Sequence, residues 1–380
     1  MAENKGWKEN RMRNGLAKIV GFVALFAAVA VVVAACGGGG SSSSSEASTS
    51  EETKSETGGS ESSSGGDISI DVGSKKIELP AGTEPNIAWF GGTGNTYQEA
   101  SKEGAEAKAG EVGAKVTWFD GKYSPEVQIP LLQNALATGD FNVWVFENYS
   151  GEASCSYIKK AIEKGIVVVQ KSNFTCGSEQ EAANEDAWLD GTLATVGACC
   201  TSTYYDSFGN EVKKVIEPNA EAGLLFGPPG VVATELLSAG VNQAGINVAE
   251  EINTGYTTPE GLAKTQTMLQ GNPDMTVVLS SFTDLTVGIV RAIESSGKED
   301  EIEVFDLGGS KVDKKLIEEG KLVSTQPYFP RSESETAVEV VAEAFEGKPV
   351  ERFESGFPEG TPTKPYIVTK ENVSEFNPEY

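Results

Sequence analysis

The residues with the most distinctive chemistry in this chain are its five cysteines, and one of them stands apart. Cys36 follows an uncharged apolar run from Ile19 to Val33, and a glycine–serine tract begins directly after it. Basic residues precede the run, and small residues lie between it and the cysteine. These features are typical of a secretory signal peptide. The sequence therefore predicts a signal peptide at residues 1–35 and an exported chain.

The same junction, Val33-Ala34-Ala35-Cys36, resembles the bacterial lipobox, in which the cysteine becomes the first mature residue and carries lipid on its sulfur. An uncleaved transmembrane anchor is the alternative, but a span normally needs about 20 apolar residues, and this run reaches seventeen at Ala35. The following Ser, Gly, Glu and Thr residues predict a hydrated, disordered tether. We expect a lipidated Cys36 and a tether over residues 36–82, on the extracytoplasmic face of a bacterial membrane.

Four further cysteines fall in the predicted mature domain. In an exported domain they indicate disulfides, and four cysteines allow three connectivities. A metal site is the weaker interpretation because no CxxC spacing occurs. We favour a bond between Cys155 and Cys176, which leaves Cys199 and Cys200 as an adjacent pair.

Several classes of chemistry have no support in the sequence. Histidine is absent, which excludes histidine-based triads and the usual zinc sites. The segment GGTGNTY, residues 91–97, lacks the lysine and the spacing of a phosphate loop. The formal charge of −26 becomes −29 once residues 1–35, with five positive and two negative side chains, are removed. This acidity argues against nucleic acid as a partner, and we predict no cofactor, no metal and no enzymatic activity.

Short apolar strands alternate with helices along the mature chain. Strands are predicted at 87–90, 116–119, 143–146 and 166–169, helices at 97–112, 125–137 and 155–163, and the same rhythm runs from 222–226 to 304–305. This alternation forms βαβ units with parallel sheets that are covered on both faces. The predicted fold class is α/β, doubly wound.

An internal repeat indicates two similar lobes. The segments YSPEVQIPLLQNALATGDFNVWVF from Tyr123 and YTTPEGLAKTQTMLQGNPDMTVVL from Tyr256 each begin a helix with a Ser or Thr cap, followed by Pro and Glu. In both copies seventeen positions separate this Glu from a valine of the next strand. The alternative is that all βαβ units share such features.

Five segments, taken in order, resemble one family. They are NIAWFGGTGNTYQEASKEGAEAKAGEVG from residue 86, GIVVVQKS from 165, NPDMTVVLSS from 272, IEVFDLGG from 302 and GKLVSTQPYFP from 320. Their order and spacing are similar to those of the ribose-binding type of solute-binding proteins, the ligand receptors of ABC importers. The resemblance covers about residues 84–370.

The resemblance implies the type I periplasmic-binding-protein fold, with two Rossmann-like lobes, a three-crossover hinge and the ligand between the lobes. Lobe 1 is expected at residues 83–205 and 328–353, and lobe 2 at 206–327 and 354–380. The implied partners of this monomer are a small solute, such as a monosaccharide or related polyol, and an ABC permease with its ATPase. Ligands of parallel α/β sheets bind at the carboxyl ends of the strands, and hinge closure is expected.

The resemblance also implies ligand contacts. Tyr97 and Tyr256 fall where the family stacks aromatic rings on the sugar, and Asp306 matches a carboxylate that accepts bonds from sugar hydroxyls. Aromatic faces with a few polar groups suit the apolar CH faces and hydroxyl rim of a sugar. The candidate ligand-binding residues are Asn95, Tyr97, Glu147, Ser172, Asn173, Glu235, Tyr256, Phe282, Phe305, Asp306 and Tyr328.

Four residues at three sites depart from the family's pattern. Ser172-Asn173 stands where the family commonly has Asp-Arg, Glu235 aligns with a second arginine and Phe282 with an asparagine. Either Asn173 or Lys171 points into the cleft, depending on the register of the strand. The loss of both arginines favours a different sugar, or an amine-bearing solute held by cation–π contacts. Two roles remain open, delivery of the solute to an importer and presentation of the bound state to a membrane receptor as a sensor.

The lipid anchor is tested by the change Cys36→Ser. We expect this variant to leave the membrane fraction for the medium, or to remain unprocessed, because the lipid is attached at that sulfur. Cell fractionation with mass analysis of the mature form measures both effects, and Ser41→Ala in the adjacent tract is the control. Normal processing with unchanged membrane retention of the Cys36 variant would contradict the anchor.

Overall fold

The computed structural model describes residues 67–176, 188–197, 201–361 and 366–380. The predicted signal peptide, Cys36, most of the predicted tether, Cys199 and Cys200 lie outside these residues. Within the described part of the chain, no helix is long and apolar enough to cross a membrane.

The helices and strands follow in chain order. The first part of the chain forms β1 (Ile68–Asp71), β2 (Lys76–Leu79), β3 (Asn86–Gly91), α1 (Thr96–Val112), β4 (Lys115–Asp120), α2 (Pro125–Thr138), β5 (Val143–Phe146), α3 (Gly151–Glu163), β6 (Val167–Lys171) and β7 (Ala194–Val196). The second part forms α4 (Ser202–Val215), β8 (Glu221–Phe226), α5 (Val232–Gln243), β9 (Asn247–Asn253), α6 (Thr258–Gly271), β10 (Met275–Ser280), α7 (Thr283–Ser296), β11 (Glu303–Gly308), α8 (Lys311–Glu318) and β12 (Ser324–Pro327). The last part forms α9 (Pro330–Phe345), β13 (Phe353–Glu354) and β14 (Val368–Thr369).

Each lobe is built on one six-stranded sheet. The lobe 1 sheet has the order β13-β7-β6-β5-β3-β4, and the lobe 2 sheet has the order β14-β12-β11-β10-β8-β9. All neighbours are parallel except β14, which runs antiparallel to β12. Strands such as β5 (VWVF) are buried along their whole length because helices cover both faces. The predicted α/β fold with two parallel-sheet lobes is confirmed.

The chain passes between the two sheets three times, after β7, after β12 and after β13. The boundaries differ slightly from those expected. Helix α4 begins at Ser202, and Tyr204, Tyr205 and Phe208 are buried in the same core as the lobe 2 strands, so lobe 1 ends before residue 205. Glu354 pairs with Val196 in the lobe 1 sheet rather than joining lobe 2.

The end of the predicted tether is ordered. Strands β1 and β2 form an antiparallel hairpin whose Ile70 and Ile77 pack into the lobe 1 core with Val72. Arg352 donates hydrogen bonds to the carbonyl oxygens of Asp71 and Leu193, each at 3.0 Å. Isoleucine and valine supply the apolar area that the serine-rich segment lacks, and residues 67–82 are therefore part of the folded domain rather than of the tether.

A disulfide joins Cys155 of α3 to Cys176, twenty-one residues later. It is the pairing favoured from the sequence. Cys176 follows the end of β6, and its backbone amide donates to the Gly151 carbonyl at the start of α3. The bond thus closes a loop that contains most of α3 and all of β6.

Removing this bond should destabilise lobe 1. Closing a loop of this length lowers the conformational entropy of the unfolded chain, which stabilises the folded state by about 3 kcal/mol. The double variant Cys155→Ala/Cys176→Ala should therefore lose roughly that much unfolding free energy. Denaturant titration without reductant measures the loss. The exposed Ser156→Ala change on the same helix is the control, and a double variant as stable as the parent would contradict the assignment.

Two carboxyl groups are buried next to each other in lobe 2. Asp306 of β11 accepts a hydrogen bond from the Thr286 hydroxyl at 2.7 Å. Asp313, in the first turn of α8, accepts from the Ser310 amide at 2.8 Å and from the Thr283 hydroxyl. Burial, and then the neighbouring Asp313 carboxyl, raise the pKa of Asp306 well above its usual range. Burial also raises the pKa of Asp313.

This pair makes stability depend on pH. A carboxyl whose pKa is raised in the folded state holds its proton there after the unfolded chain has lost it, so folding free energy is lost as the pH rises above about 4. The change Asp306→Asn removes one of the two titrations, and the variant should lose less stability than the parent between pH 4 and pH 8. A difference of one pKa unit between the folded and unfolded states corresponds to about 1.4 kcal/mol of unfolding free energy.

The measurement is urea denaturation of both proteins across that pH range. Asp300→Asn, at an exposed position, is the matched control and should follow the parent. Parallel curves for the parent and the Asp306 variant would contradict the prediction.

Candidate ligand-binding cleft

A narrow cleft of about 70 Å³ lies between the lobes, at the carboxyl ends of the parallel strands. Ligand pockets commonly reach about 300 Å³ or more, so the lobes are closed on each other around little free space. The cleft is lined by Tyr97, Gln98, Tyr123, Glu147, Tyr149, Ser172, Asn173, Tyr205, Val231, Ala233, Tyr256, Ser281, Phe282 and Tyr328.

A wider groove of about 920 Å³ lies on lobe 2, beside the amino ends of β10 and β11. Its acidic side chains, such as Glu299 and Asp300, are exposed to solvent, and none of its lining residues has a buried, unpartnered polar atom. Across the described residues no group of three acidic or cysteine side chains is arranged to hold a metal ion. The interlobe cleft is therefore the site that the polar chemistry favours.

Two tyrosines from equivalent positions of the repeat meet across the cleft. Tyr123 follows β4 and Tyr256 follows β9, and each of these strands is the last in its sheet. Both residues have left-handed backbones, with φ angles of 52° and 59°. Such angles are rare for bulky residues and persist where the surroundings fix them. The ring centroids are 5.7 Å apart, so each lobe contributes one ring to the same contact.

Further rings extend this contact in both directions. Tyr149 lies 5.2 Å from Tyr123 on the lobe 1 side, and Phe282 lies 5.4 Å from Tyr256 on the lobe 2 side. Tyr97 meets Phe282 and Tyr328 edge-on, with centroids 6.2 and 5.9 Å away. Tilted and edge-on contacts are the arrangements that aromatic rings prefer. The cleft is thus walled by a continuous set of aromatic rings from both lobes.

A buried ion cluster lies behind the lobe 1 wall. Lys171, the last residue of β6, is fully buried, and its ammonium lies 3.5 Å from Glu147 Oε2 and 3.6 Å from Glu333 Oε2. It also donates to the Tyr97 hydroxyl at 3.1 Å and lies 5.0 Å from the centroid of that ring. Glu147 is the member of this cluster that reaches the cleft.

Four polar atoms of the lining are buried without a hydrogen-bond partner among the described residues. They are the side-chain amide oxygens of Gln98 and Asn173 and the hydroxyl oxygens of Tyr149 and Ser281. The Asn173 amide nitrogen donates to the Asn148 carbonyl at 2.9 Å, which leaves its oxygen as the free end. Burial raises the pKa of Tyr149 well above its usual range, so its hydroxyl keeps its proton. Each unpaired atom costs about 1–3 kcal/mol, and a ligand with hydroxyl groups would pair them.

The structure gathers seven of the eleven candidate residues around the cleft. The sequence left open whether Asn173 or Lys171 points into the cleft. In the structure Asn173 lies in the lining, whereas Lys171 lies behind it. The seven are Tyr97, Glu147, Ser172, Asn173, Tyr256, Phe282 and Tyr328.

The other four candidates lie outside the lining. Asn95 caps α1 and donates to the Tyr123 hydroxyl at 2.6 Å, so it supports a lining residue. Phe305 and Asp306 are fully buried within β11, where Asp306 is held by α7 through Thr286. Glu235 is exposed in the first turn of α5. The expectation that Asp306 and Glu235 contact the ligand does not match their positions in this structure.

Sequence reasoning missed seven lining residues. The internal repeat could have indicated Tyr123, because Tyr123 is the first residue of one repeat segment and Tyr256 is the first residue of the other. Gln98 donates to Glu147 at 2.9 Å, but nothing in the sequence links these two positions. The missed residues are Gln98, Tyr123, Tyr149, Tyr205, Val231, Ala233 and Ser281.

Several known proteins are similar to this chain. The model of the periplasmic binding protein domain matches residues 90–349. The ribose import binding protein of Salmonella typhimurium is 24% identical over 262 residues, which cover 68% of this chain and 83% of that protein. The ribose import binding protein of Bacillus subtilis is 23% identical over 261 residues, which cover 68% and 80%.

Solved structures show the same fold. A periplasmic solute-binding protein of an Actinobacillus succinogenes ABC transporter, with bound D-allose, has a TM-score of 0.64 at 18% identity and covers 77% of this chain and 100% of its own. A Bacillus halodurans solute-binding protein with bound myo-inositol has a TM-score of 0.67 at 17% identity and covers 78% and 98%. Because the family model matches well over half of the residues, this chain belongs to the periplasmic binding protein family, in its ribose-binding-like type I form.

Proposed function

We propose that this chain is an extracytoplasmic lipoprotein that captures a sugar-like solute between its lobes and delivers it to an ABC importer. The observation that carries the proposal is the composition of the cleft, where aromatic rings from both lobes surround buried polar atoms that lack partners. Rings suit the CH faces of a sugar, and the polar atoms suit its hydroxyl rim. Relatives named for ribose import and structures with bound D-allose and myo-inositol support the polyol class.

Capture requires the lobes to open. The free space of about 70 Å³ is enough for a few water molecules, and a monosaccharide needs more. Tyr123 and Tyr256 belong to different lobes, so their contact must separate before a ligand of that size enters. Rotation of the lobes about the three crossovers provides this opening, as in hinge closure around a ligand.

A thermal-shift screen of monosaccharides and polyols against the purified full chain tests the proposal. A ligand that binds only the folded state must raise the melting temperature. With the compound that gives the largest shift, Tyr256→Ala should weaken binding at least tenfold, about 1.4 kcal/mol, because one wall of the closed cleft is lost. Calorimetry measures the affinity.

The matched control is Tyr157→Ala, which removes a tyrosine of α3 that lies outside the cleft lining. It should bind like the parent. If the Tyr256 variant bound the compound as tightly as the parent, the ligand would not bind in this cleft. Deletion of the gene should abolish uptake of the same compound, whereas intact uptake with loss of a transcriptional response would favour the sensor role.

A further inference from the structure

Two adjacent residues, Glu379 and Tyr380, bind the starts of two helices that belong to different lobes. The Glu379 carboxylate accepts hydrogen bonds at the start of α9, from the Arg331 amide at 2.9 Å, the Ser332 amide at 3.2 Å and the Ser332 hydroxyl. The first amides of a helix have no partners within the helix, and Phe329, the N-cap residue of α9, has no side-chain acceptor. Glu379 therefore caps a lobe 1 helix from outside that helix.

Tyr380 is bound to lobe 2. Its carbonyl oxygen accepts from the amide of Lys311, the first residue of α8, at 2.7 Å. Its hydroxyl donates to the Gly308 carbonyl at the end of β11, also at 2.7 Å. Burial raises the pKa of Tyr380 well above its usual range, so the hydroxyl keeps the proton that it donates. Nearby, Phe376 is buried in the lobe 2 core, and its carbonyl accepts from the Lys314 side chain at 2.7 Å.

These contacts make residues 376–380, the strap, a non-covalent connection between the lobes beside the cleft. The Tyr380 ring meets the ring of Tyr97 edge-on, with centroids 6.2 Å apart, and Tyr97 belongs both to α1 and to the cleft lining. Consecutive α-carbons are only about 3.8 Å apart, so Glu379 and Tyr380 reach both helix starts only while these starts lie close together. The bonds of the strap therefore fit the closed arrangement of the lobes.

The two lobes hold the strap unequally. On lobe 2 it has one bond from a backbone amide, one to a backbone carbonyl and one from an ammonium, together with the buried side chains of Phe376 and Tyr380. On lobe 1 the hydrogen bonds all end on the carboxylate of Glu379, a half-buried residue. A carboxylate that leaves the start of α9 regains water as a partner. Separation of the lobes is thus easiest at Glu379.

We propose that Glu379 is a latch of the closed cleft. Its carboxylate binds the start of α9 when the lobes close and leaves it when they open, while the rest of the strap stays on lobe 2. Glu379 lies outside the cleft lining, so it is a positioning residue that shifts the balance between closed and open forms. This inference rests on the proposed capture function, which requires the lobes to open.

Small-angle scattering of the ligand-free full chain tests the latch. Glu379→Ala should have a larger radius of gyration than the parent, because the open form gains population. Glu379→Gln should fall between the two, since its amide oxygen still accepts but the charge that strengthens such bonds is lost. Glu375→Ala removes an exposed acid close to the strap and should scatter like the parent.

A variant on the other side of the latch checks the partner. Ser332→Ala removes one donor to Glu379 from lobe 1 and should also increase the radius of gyration. The double variant Ser332→Ala/Glu379→Ala should open no further than Glu379→Ala alone, because the two residues act through one contact. Effects of the single variants that add in full would contradict the pairing.

Ligand kinetics separate a latch from a structural cap. D-ribose, D-allose and myo-inositol are the probes, and a probe that binds the parent should dissociate at least threefold faster from Glu379→Ala. A residue that only stabilises α9 would lower the melting temperature and leave the dissociation rate and the ligand-free radius of gyration unchanged. Thermal unfolding of each variant is measured in parallel.

The outcomes distinguish this inference from the proposed function. If ligand-free Glu379→Ala scatters like the parent, the latch is overturned, whatever happens to the melting temperature. Should that variant fail to fold, Glu379→Gln and Ser332→Ala decide in its place by the same measurement. If none of the three probes binds the folded parent, the proposed polyol ligand is contradicted, and the scattering result still decides the latch.

Discussion

The buried ammonium of Lys171 is the constraint on which the cleft depends. Removing a lysine charge from water costs several kcal/mol, and the cost is offset only if partners surround it. Here Glu147, Glu333 and the Tyr97 hydroxyl supply them. These partners come from the end of β5, the first turn of α9 and the first turn of α1. One charge therefore fixes the relative positions of three elements that form the lobe 1 wall, and loss of either acid would leave a buried charge less compensated.

The same cluster connects the wall to the hinge. Helix α9 follows the second crossover, and the third crossover packs on the first turn of α9 at Glu333. Gly356 has a φ of 66°, and a β-carbon there would lie 2.8 Å from the Glu333 α-carbon. Only glycine combines that backbone with that approach. Two of the three connections between the lobes thus meet at Glu333, which also pairs with Lys171. Movement of the lobes and the ion pairs behind the cleft therefore involve the same residue.

The fold was predictable from the sequence, and the site only in part. Fully apolar strands and capped helices follow local rules, and these rules gave the two parallel sheets. Seven site positions followed from the resemblance because they lie in the segments that come after strands, at or near the strand ends. Lys171 and Asp306 are different, since their roles depend on which way a side chain turns at the end of a strand and on partners such as Glu333 and Asp313. The hairpin at residues 67–79 was missed because its few isoleucines lie at the end of a polar tract.

The two lobes accommodate buried carboxyl groups in different ways. Lobe 1 pairs Glu147 and Glu333 with the ammonium of Lys171. In lobe 2, Asp306 and Asp313 have raised pKa values and are held by hydroxyl and amide donors away from the lining. The repeat therefore supplies matching rings, Tyr123 and Tyr256, on walls of unlike polarity.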